Sequence, residues 1–436
     1  MIRNVAIIGG GFSGAMLAAR LAERGVASTL IDRTGRFGAG LAYSTRLDQH
    51  VLNVRSGRMS AIEGHPDAFV GWLETEAPEH TDPEGFAPRR LYGLYVQDRL
   101  ARVEAAHPGR IERLTGSAVA IDGSTVRLAD GRRVEADAVV LATGNPAPKC
   151  ARGGESGRII GDPWADGALD RVGPGDDVLI VGSGLTMVDV VLALRAAGWR
   201  GRATALSRRG LMPRAHSARH DAPVAPTPAL TTGPASRRLA EGRRLAEAHG
   251  WRGVMEGLRP VTGELWAAAD PGLRARLLRH LRPYWDVHRH RIPASVAATL
   301  ERLEAEGRLT VLAGRVGAVE TRGDGVALSW TPRHGPAQAP LTGGWLIDCS
   351  GPGHDPAANS LTGPLVASGR ARLDPSGLGL DLDPVGRVRA ADGVADPGLF
   401  VLGPPARAAF WETIAVPDIR KRIETLAAVL SDPADR

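Results

Sequence analysis

Two glycine-rich turns, each following an apolar run, limit what this chain can fold into. The first is Gly9-Gly10-Gly11-Phe12-Ser13-Gly14, after Val5-Ala6-Ile7-Ile8. The second is Gly182-Ser183-Gly184-Leu185-Thr186-Met187, after Val178-Leu179-Ile180-Val181. A buried strand, a Gly-x-Gly turn and a helix, in that order, aim backbone N–H groups and a helix N-terminus at a pyrophosphate. Two such units predict two bound dinucleotides. The usual reason to hold two is to pass a hydride from a nicotinamide to a flavin.

In the first unit, Gly9 permits a tight turn, Gly11 lets phosphates approach, and Gly14 lets the helix lie against the strand. Phe12 and Ser13 open that helix. Asp32 ends the next strand, followed by Arg33, and its carboxylate is expected to accept the ribose hydroxyls of an adenosine. This unit stands first in the chain, and the far end returns to a strand and loop at Leu402-Gly403-Pro404, so it is assigned to FAD. Gly40, Leu41 and Ala42 are expected along the phosphates and ribityl chain, with Asn53, Thr143, Gly144 and Gly403 also at the cofactor. Thr413, Ile414 and Ala415 lead into a last helix whose N-terminal amides are expected to face the flavin pyrimidine.

The second unit is assigned to NADPH. Gly182, Ser183, Gly184, Leu185 and Thr186 are expected at its phosphates, and Met187 stands where a third glycine would be. Arg208 and Arg209 follow the strand Ala203-Thr204-Ala205-Leu206, where NAD-binding folds place an acid. Two guanidiniums there suit a 2′-phosphate.

The expected fold class is α/β, with two Rossmann-like dinucleotide-binding domains. Residues 1–155 and 340–436 form a split FAD domain around an NAD(P) domain, 156–339, which carries a helical insertion at about 213–307. Segments 111–121, 124–129 and 132–135 read as a small antiparallel sheet. The chain has 436 residues and a formal charge of +6. Its arginines are interleaved with acids, so no nucleic-acid partner is expected. No apolar run is long enough for a bilayer, and the opening strand leaves no room for a signal peptide, so the chain is expected to be cytoplasmic. Cys150 and Cys349 form no closely spaced pair, which excludes a dithiol relay, and no metal site is expected.

The chain resembles a bacterial family of FAD/NAD(P)-binding oxidoreductases, more distantly similar to flavin-containing monooxygenases and N-hydroxylases. The resemblance rests on Ile7 to Gly14, Gly38 to Ser44, Leu52-Asn53-Val54, Phe86 to Arg89, Tyr92 to Tyr95 and Ala142 to Asn145. It continues through Gly182 to Asp189, Ser207 to Leu211, Trp285 to Arg291 and Trp411 to Arg420. It departs from typical flavin-containing monooxygenases in lacking an F-x-G-x-x-x-H segment.

The resemblance implies an enzyme that passes a hydride from NADPH to FAD and then, with O2, oxygenates a small polar molecule. A reductase without oxygen activation and a non-catalytic flavin-binding module are the alternatives. Candidate catalytic residues are Asn53, whose amide donates without titrating, Glu412 before the last helix, and His288. The last lies in Trp285-Asp286-Val287-His288-Arg289-His290-Arg291, a stretch suited to closing over the nicotinamide, to binding an anionic substrate, or to a solvated helix end. His216 and His220 are weaker candidates, and Tyr92 and Tyr95 are expected to pack in the core.

Overall fold

The structure, a computed structural model, describes residues 2–146, 157–353 and 355–432. Cys150 falls outside them. Its frame is two parallel-centred sheets. The first has six strands in the order Arg387–Arg389, Ala395–Val401, Ala138–Leu141, Asn4–Ile8, Ala27–Asp32, Ile111–Thr115. Only the Arg387–Arg389 edge is antiparallel. The central strand buries Val5, Ala6, Ile7 and Ile8 without alternation, as a strand covered on both faces must. Its neighbours, Ala27–Asp32 and Ala138–Leu141, flank it on opposite sides and extend the sheet both ways, so the first glycine turn leaves from a topological switch point, where open α/β sheets bind ligands.

The second sheet repeats this plan. Its seven strands run Leu341–Gly343, Gly325–Pro332, Leu309–Arg322, Ala203–Ser207, Val178–Val181, Trp345–Asp348, Ile159–Ile160. Val178–Val181 lies between Ala203–Ser207 and Trp345–Asp348, parallel to both, and the second turn leaves from its end.

Two expectations are corrected. Trp345–Asp348 belongs to the second sheet, with Leu346 opposite Leu179 and Ile347 opposite Ile180, so that sheet runs past position 340. The reason is internal symmetry: each unit closes with its own strand beside the glycine turn. Ile111–Thr115 joins the first sheet in parallel, and the small antiparallel sheet is Ala118–Asp122, Thr125–Leu128 and Arg133–Glu135. Leu309–Arg322 is one strand; Leu309 to Ala313 pair with Ala203–Ser207, and from Gly314 on it pairs with Gly325–Pro332, with a bulge between Val316 and Val319.

The insertion is helical: Ala235–His249, Trp251–Leu258, Thr262–Ala267, Pro271–His280 and Arg282–Arg289. It packs on the approach to the final helix, Val416–Ser431, with Trp266 stacked on Trp411 at 4.6 Å. Tyr92 and Tyr95 are core residues of the helix Arg89–Ala106, as expected. Among the described residues no helix is long and apolar enough to cross a membrane.

A buried ion pair clasps the two units. Arg89, at the start of Arg89–Ala106, donates from Nη1 and Nη2 to both carboxylate oxygens of Asp189 at 2.7 and 3.0 Å. Asp189 lies on the helix that follows the second glycine turn. Arg89 Nε donates to the Val51 carbonyl. His50 Nε2 reaches the Asp189 carbonyl at 2.9 Å; that acceptor requires the proton on Nε2, leaving Nδ1 to accept from the Thr45 hydroxyl.

Removing one partner of a buried pair strands the other charge. Arg89→Ala is therefore expected to lower unfolding stability by about 3–5 kcal/mol, and adding Asp189→Asn should restore part of the loss. Urea unfolding of the single and double variants checks this.

Candidate functional site

In both turns, main chain packs on main chain. Gly9 has φ +112°, and a Cβ there would lie 2.2 Å from the Ala142 carbonyl oxygen. Gly182, at φ +106°, stands in the same relation to the Cys349 carbonyl, also 2.2 Å. A Cβ on Gly14 would meet the Gly9 carbonyl at 2.0 Å, which is how the helix Phe12–Glu23 comes down on its strand. Gly11 differs: its backbone is extended, at φ −71°, and a Cβ would meet only Gly40, at 3.4 Å. At that position a side chain is excluded by what must approach, not by the fold.

The residues expected around the first turn converge. Gly40 faces Gly11, where a Cβ on Gly40 would come within 2.8 Å of the Gly11 Cα. Gly403, from the far end of the chain, sits against the Ser13 hydroxyl, and Thr413 Oγ1 donates to the Gly403 carbonyl. Thr143 follows Ala142 behind Gly9, with Gly144 next to it. Leu41, Ala42 and Arg33 are exposed, while Phe12 is buried against Tyr92. Asp32 accepts from the Gly10 N–H at 3.0 Å and from the Thr34 N–H and hydroxyl at 2.8 and 2.7 Å. Three of the carboxylate's roughly four acceptor positions are thus filled from within, so Asp32 braces the turn and keeps one position on Oδ2. Ile414 and Ala415 lead into Val416–Ser431, with Pro417 in its first turn. This cradle fits a dinucleotide pyrophosphate.

Around the second turn, Gly184 caps the helix Leu185–Ala196 and faces open space, so a phosphate can approach. Leu185 and Thr186 begin that helix, and Met187 is fully buried in the core beneath it. The Ser183 hydroxyl is committed inward, to the Leu211 carbonyl and the Ser207 hydroxyl. Arg208 is exposed. Arg209 lies over the Tyr284 ring at 5.1 Å and donates to its hydroxyl at 3.2 Å. Arg333 reaches the same hydroxyl, and that hydrogen bond pulls the Tyr284 phenol below its usual range against the effect of burial. Tyr284 comes from the insertion helix Arg282–Arg289, and strand pairing brings Arg333 there: the Arg333 N–H donates to the Ala313 carbonyl, and Ala313 is the partner of Ser207.

A small polar cleft, open to solvent, lies between the first unit and the insertion. Asn53, Arg55 and Arg58 contribute to one wall, His216, His220 and Asp221 to another, and Glu256, Arg259, Arg289 and Arg291 to the insertion side. Asn53 also borders a smaller hollow shared with Leu185, Val188 and Asp189 of the second unit. Its carbonyl accepts from His216 Nε2 at 3.0 Å. Burial pushes His216 down to about 4, with the Arg291 charge adding to it, so its ring is neutral at physiological pH. Glu256 is the hub. Burial raises its carboxyl, but the Arg291 and Arg58 guanidiniums outweigh burial and hold it at about 2. Arg259 is brought down to about 10 by burial, with repulsion from Arg289 second.

Of the expected catalytic residues, Asn53 lines the cleft and the other two do not. Glu412 is buried between the Trp285 indole N–H, at 3.1 Å, and Arg289, at 2.9 Å; it ties the insertion to the loop before the final helix. His288 turns its Nδ1 to the Tyr284 carbonyl and packs against Trp251. His216 and His220, the weaker candidates, are the histidines in the wall. Among the described residues no cluster has the makings of a metal site.

Residues 6–146 match a family model described as FAD-NAD(P)-binding. The first cradle lies within this FAD-NAD(P)-binding segment. The resemblance read from the sequence extends to whole structures. An ornithine N-hydroxylase of Kutzneria is 16% identical and superposes with a TM-score of 0.68, each chain covered over 99%. A cadaverine monooxygenase from Erwinia amylovora is 13% identical with a TM-score of 0.68, over 99% of this chain and 94% of that one. The fold is that of these flavin-dependent monooxygenases. By sequence, a ubiquinone hydroxylase of Rhodospirillum rubrum is 30% identical over 168 residues, which spans 33% of this chain and only 37% of that protein.

Gly11→Val is expected to leave a folded chain that does not retain FAD, since its backbone tolerates a side chain and a phosphate does not. Gly14→Val should instead lose the fold. Circular dichroism and bound-flavin absorbance of the purified variants separate the two outcomes.

Proposed function

We propose that this chain is an FAD-dependent, NADPH-using oxidoreductase that works as a monooxygenase, hydroxylating a small polar substrate at nitrogen or carbon. The observation that carries this reading is the pairing of two glycine cradles with a polar cleft walled by Asn53 and the insertion. The whole-chain likeness to N-hydroxylating enzymes supports it, because it covers the insertion as well as the cradles.

When bound, FAD supplies the two-electron carrier and the place where oxygen is activated. The protein's share is to bind, orient and exclude water. Gly11, on the turn that Gly9 and Gly14 make possible, would hold the pyrophosphate of FAD against the N-terminus of Phe12–Glu23. Gly182 and Gly184 do the same for NADPH. Arg209 and Arg333 take its 2′-phosphate, with the Tyr284 ring holding Arg209 in place. The Arg89–Asp189 clasp fixes the second unit's helix against the first, so that reduction does not depend on a wandering domain. Asn53, at the border of both hollows, offers an amide donor that keeps its proton at any working pH. A dithiol reductase is disfavoured: burial drives the Cys349 thiol well above its usual range, and Cys150 is remote from it in sequence.

Arg209→Ala and Arg333→Ala are each expected to raise KM for NADPH by roughly tenfold or more while leaving KM for NADH nearly unchanged, as loss of a charge-assisted hydrogen bond to the phosphate requires. Steady-state kinetics with both nucleotides checks this; equal effects on the two would remove the 2′-phosphate assignment. NADPH-dependent oxygen uptake by the flavin-loaded chain tests the reaction class. Rapid oxidation of the reduced protein by air, with incorporation of labelled oxygen into an added substrate, is the expected outcome. Reduction by NADPH that passes only to other acceptors would make the chain a reductase.

A further inference from the structure

The neighbours are named for ornithine and cadaverine, molecules that carry amines. The wall of the cleft in this chain is rich in donors. Five arginines contribute to its wall against two carboxylates, Asp221 and Glu256. Glu256 is already shared by Arg58 and Arg291. Other carboxylates meet these arginines from outside the wall: Glu412 and Asp418 approach Arg289, and Glu84 approaches Arg55. Arg289 and Arg291 are 8% and 3% exposed, yet Arg289 Nε and Nη2, Arg291 Nε and Arg259 Nη2 complete no hydrogen bond, although Glu412 lies 2.9 Å from Arg289 Nε and Asp418 lies 3.8 and 3.7 Å from Arg289 Nη2 and Arg259 Nη2. A guanidinium cannot shed its proton to escape this, and a buried donor without an acceptor is costly. A ligand with oxyanion oxygens would supply the missing acceptors. A diamine, whose ammonium groups only donate, would supply none.

We infer that the substrate cleft takes a small anion, bearing a carboxylate or similar oxyanion, held by Arg259, Arg289 and Arg291, and does not take a diamine. This rests on the reading of the cleft as the substrate site and names the class of molecule it admits. The neutral His216 ring and the Asn53 amide on the same wall supply uncharged polar contacts for the rest of the ligand.

The test is isothermal titration of the flavin-loaded full chain, in low-chloride buffer, with benzoate, succinate and cadaverine as probes. At least one carboxylate is expected to bind and cadaverine to give no heat. Arg291→Gln and Arg259→Gln should each weaken the carboxylate about tenfold or more, while Arg244→Gln, an exposed arginine paired with Glu241, leaves it unchanged. Should Arg291→Gln misfold, Arg58→Gln, whose side chain is partly exposed, takes its place. Four results overturn the inference: cadaverine binding in preference to the acids, neither carboxylate binding, equal affinity in every variant, or carboxylate binding only after the flavin is stripped, which would make the arginines part of the flavin's own site. Titration needs neither NADPH nor oxygen. A chain that binds carboxylates without consuming oxygen keeps this inference and loses the monooxygenase reading; one that consumes oxygen but prefers cadaverine does the reverse.

Discussion

A carbonyl oxygen held where a Cβ would have to be is the contact on which this structure depends. It occurs twice, Ala142 against Gly9 and Cys349 against Gly182, with the same spacing. In each case the strand that closes the unit runs alongside the strand that opens it, and the chain turns away at positive φ. Only glycine meets both demands. The turn is therefore rigid before any ligand arrives, and the amides that follow point into open space. Binding a pyrophosphate there needs little reorganisation, which is the physical content of a preformed site.

Between these two rigid units the protein spends its charges. Arg89 and Asp189 satisfy each other with two good hydrogen bonds, and the neighbouring carbonyls of Val51 and Asp189 are also taken up. The arginines of the cleft are treated differently. They are buried beside carboxylates at distances or angles that leave donors unmade. One interface is closed and specifies how the units meet. The other is held open, with electrostatic demand stored in its wall.

Much of the fold was legible because its signals are local. Strand, turn and helix follow one another within about thirty residues, and the burial of Val5 to Ile8 and Val178 to Ile180 follows from unbroken apolar runs. The boundary near 340 was misplaced for an instructive reason. Trp345–Asp348 and Ala138–Leu141 carry the same strand-then-glycine pattern, and nothing in the sequence says which sheet each one closes. Ile111–Thr115 was grouped with its sequence neighbours because a short alternating strand reads alike in a hairpin or at a parallel edge. At the site, Asn53 and Arg291 stood out locally, but His288, between the buried Val287 and Arg289, could not be told from a wall residue without the packing of Trp251.

The sequence by itself determined that this chain binds two dinucleotides' worth of phosphate, because glycine spacing and strand burial are properties of short segments. Tertiary structure alone decided what surrounds those phosphates and what lies between the units. Arg333 meets Arg209 through a strand pairing, Arg89 meets Asp189 across 100 positions, and the cleft draws on four separate stretches of chain. Charges brought together in that way owe their energy to burial and to one another, and neither quantity exists until the chain has folded.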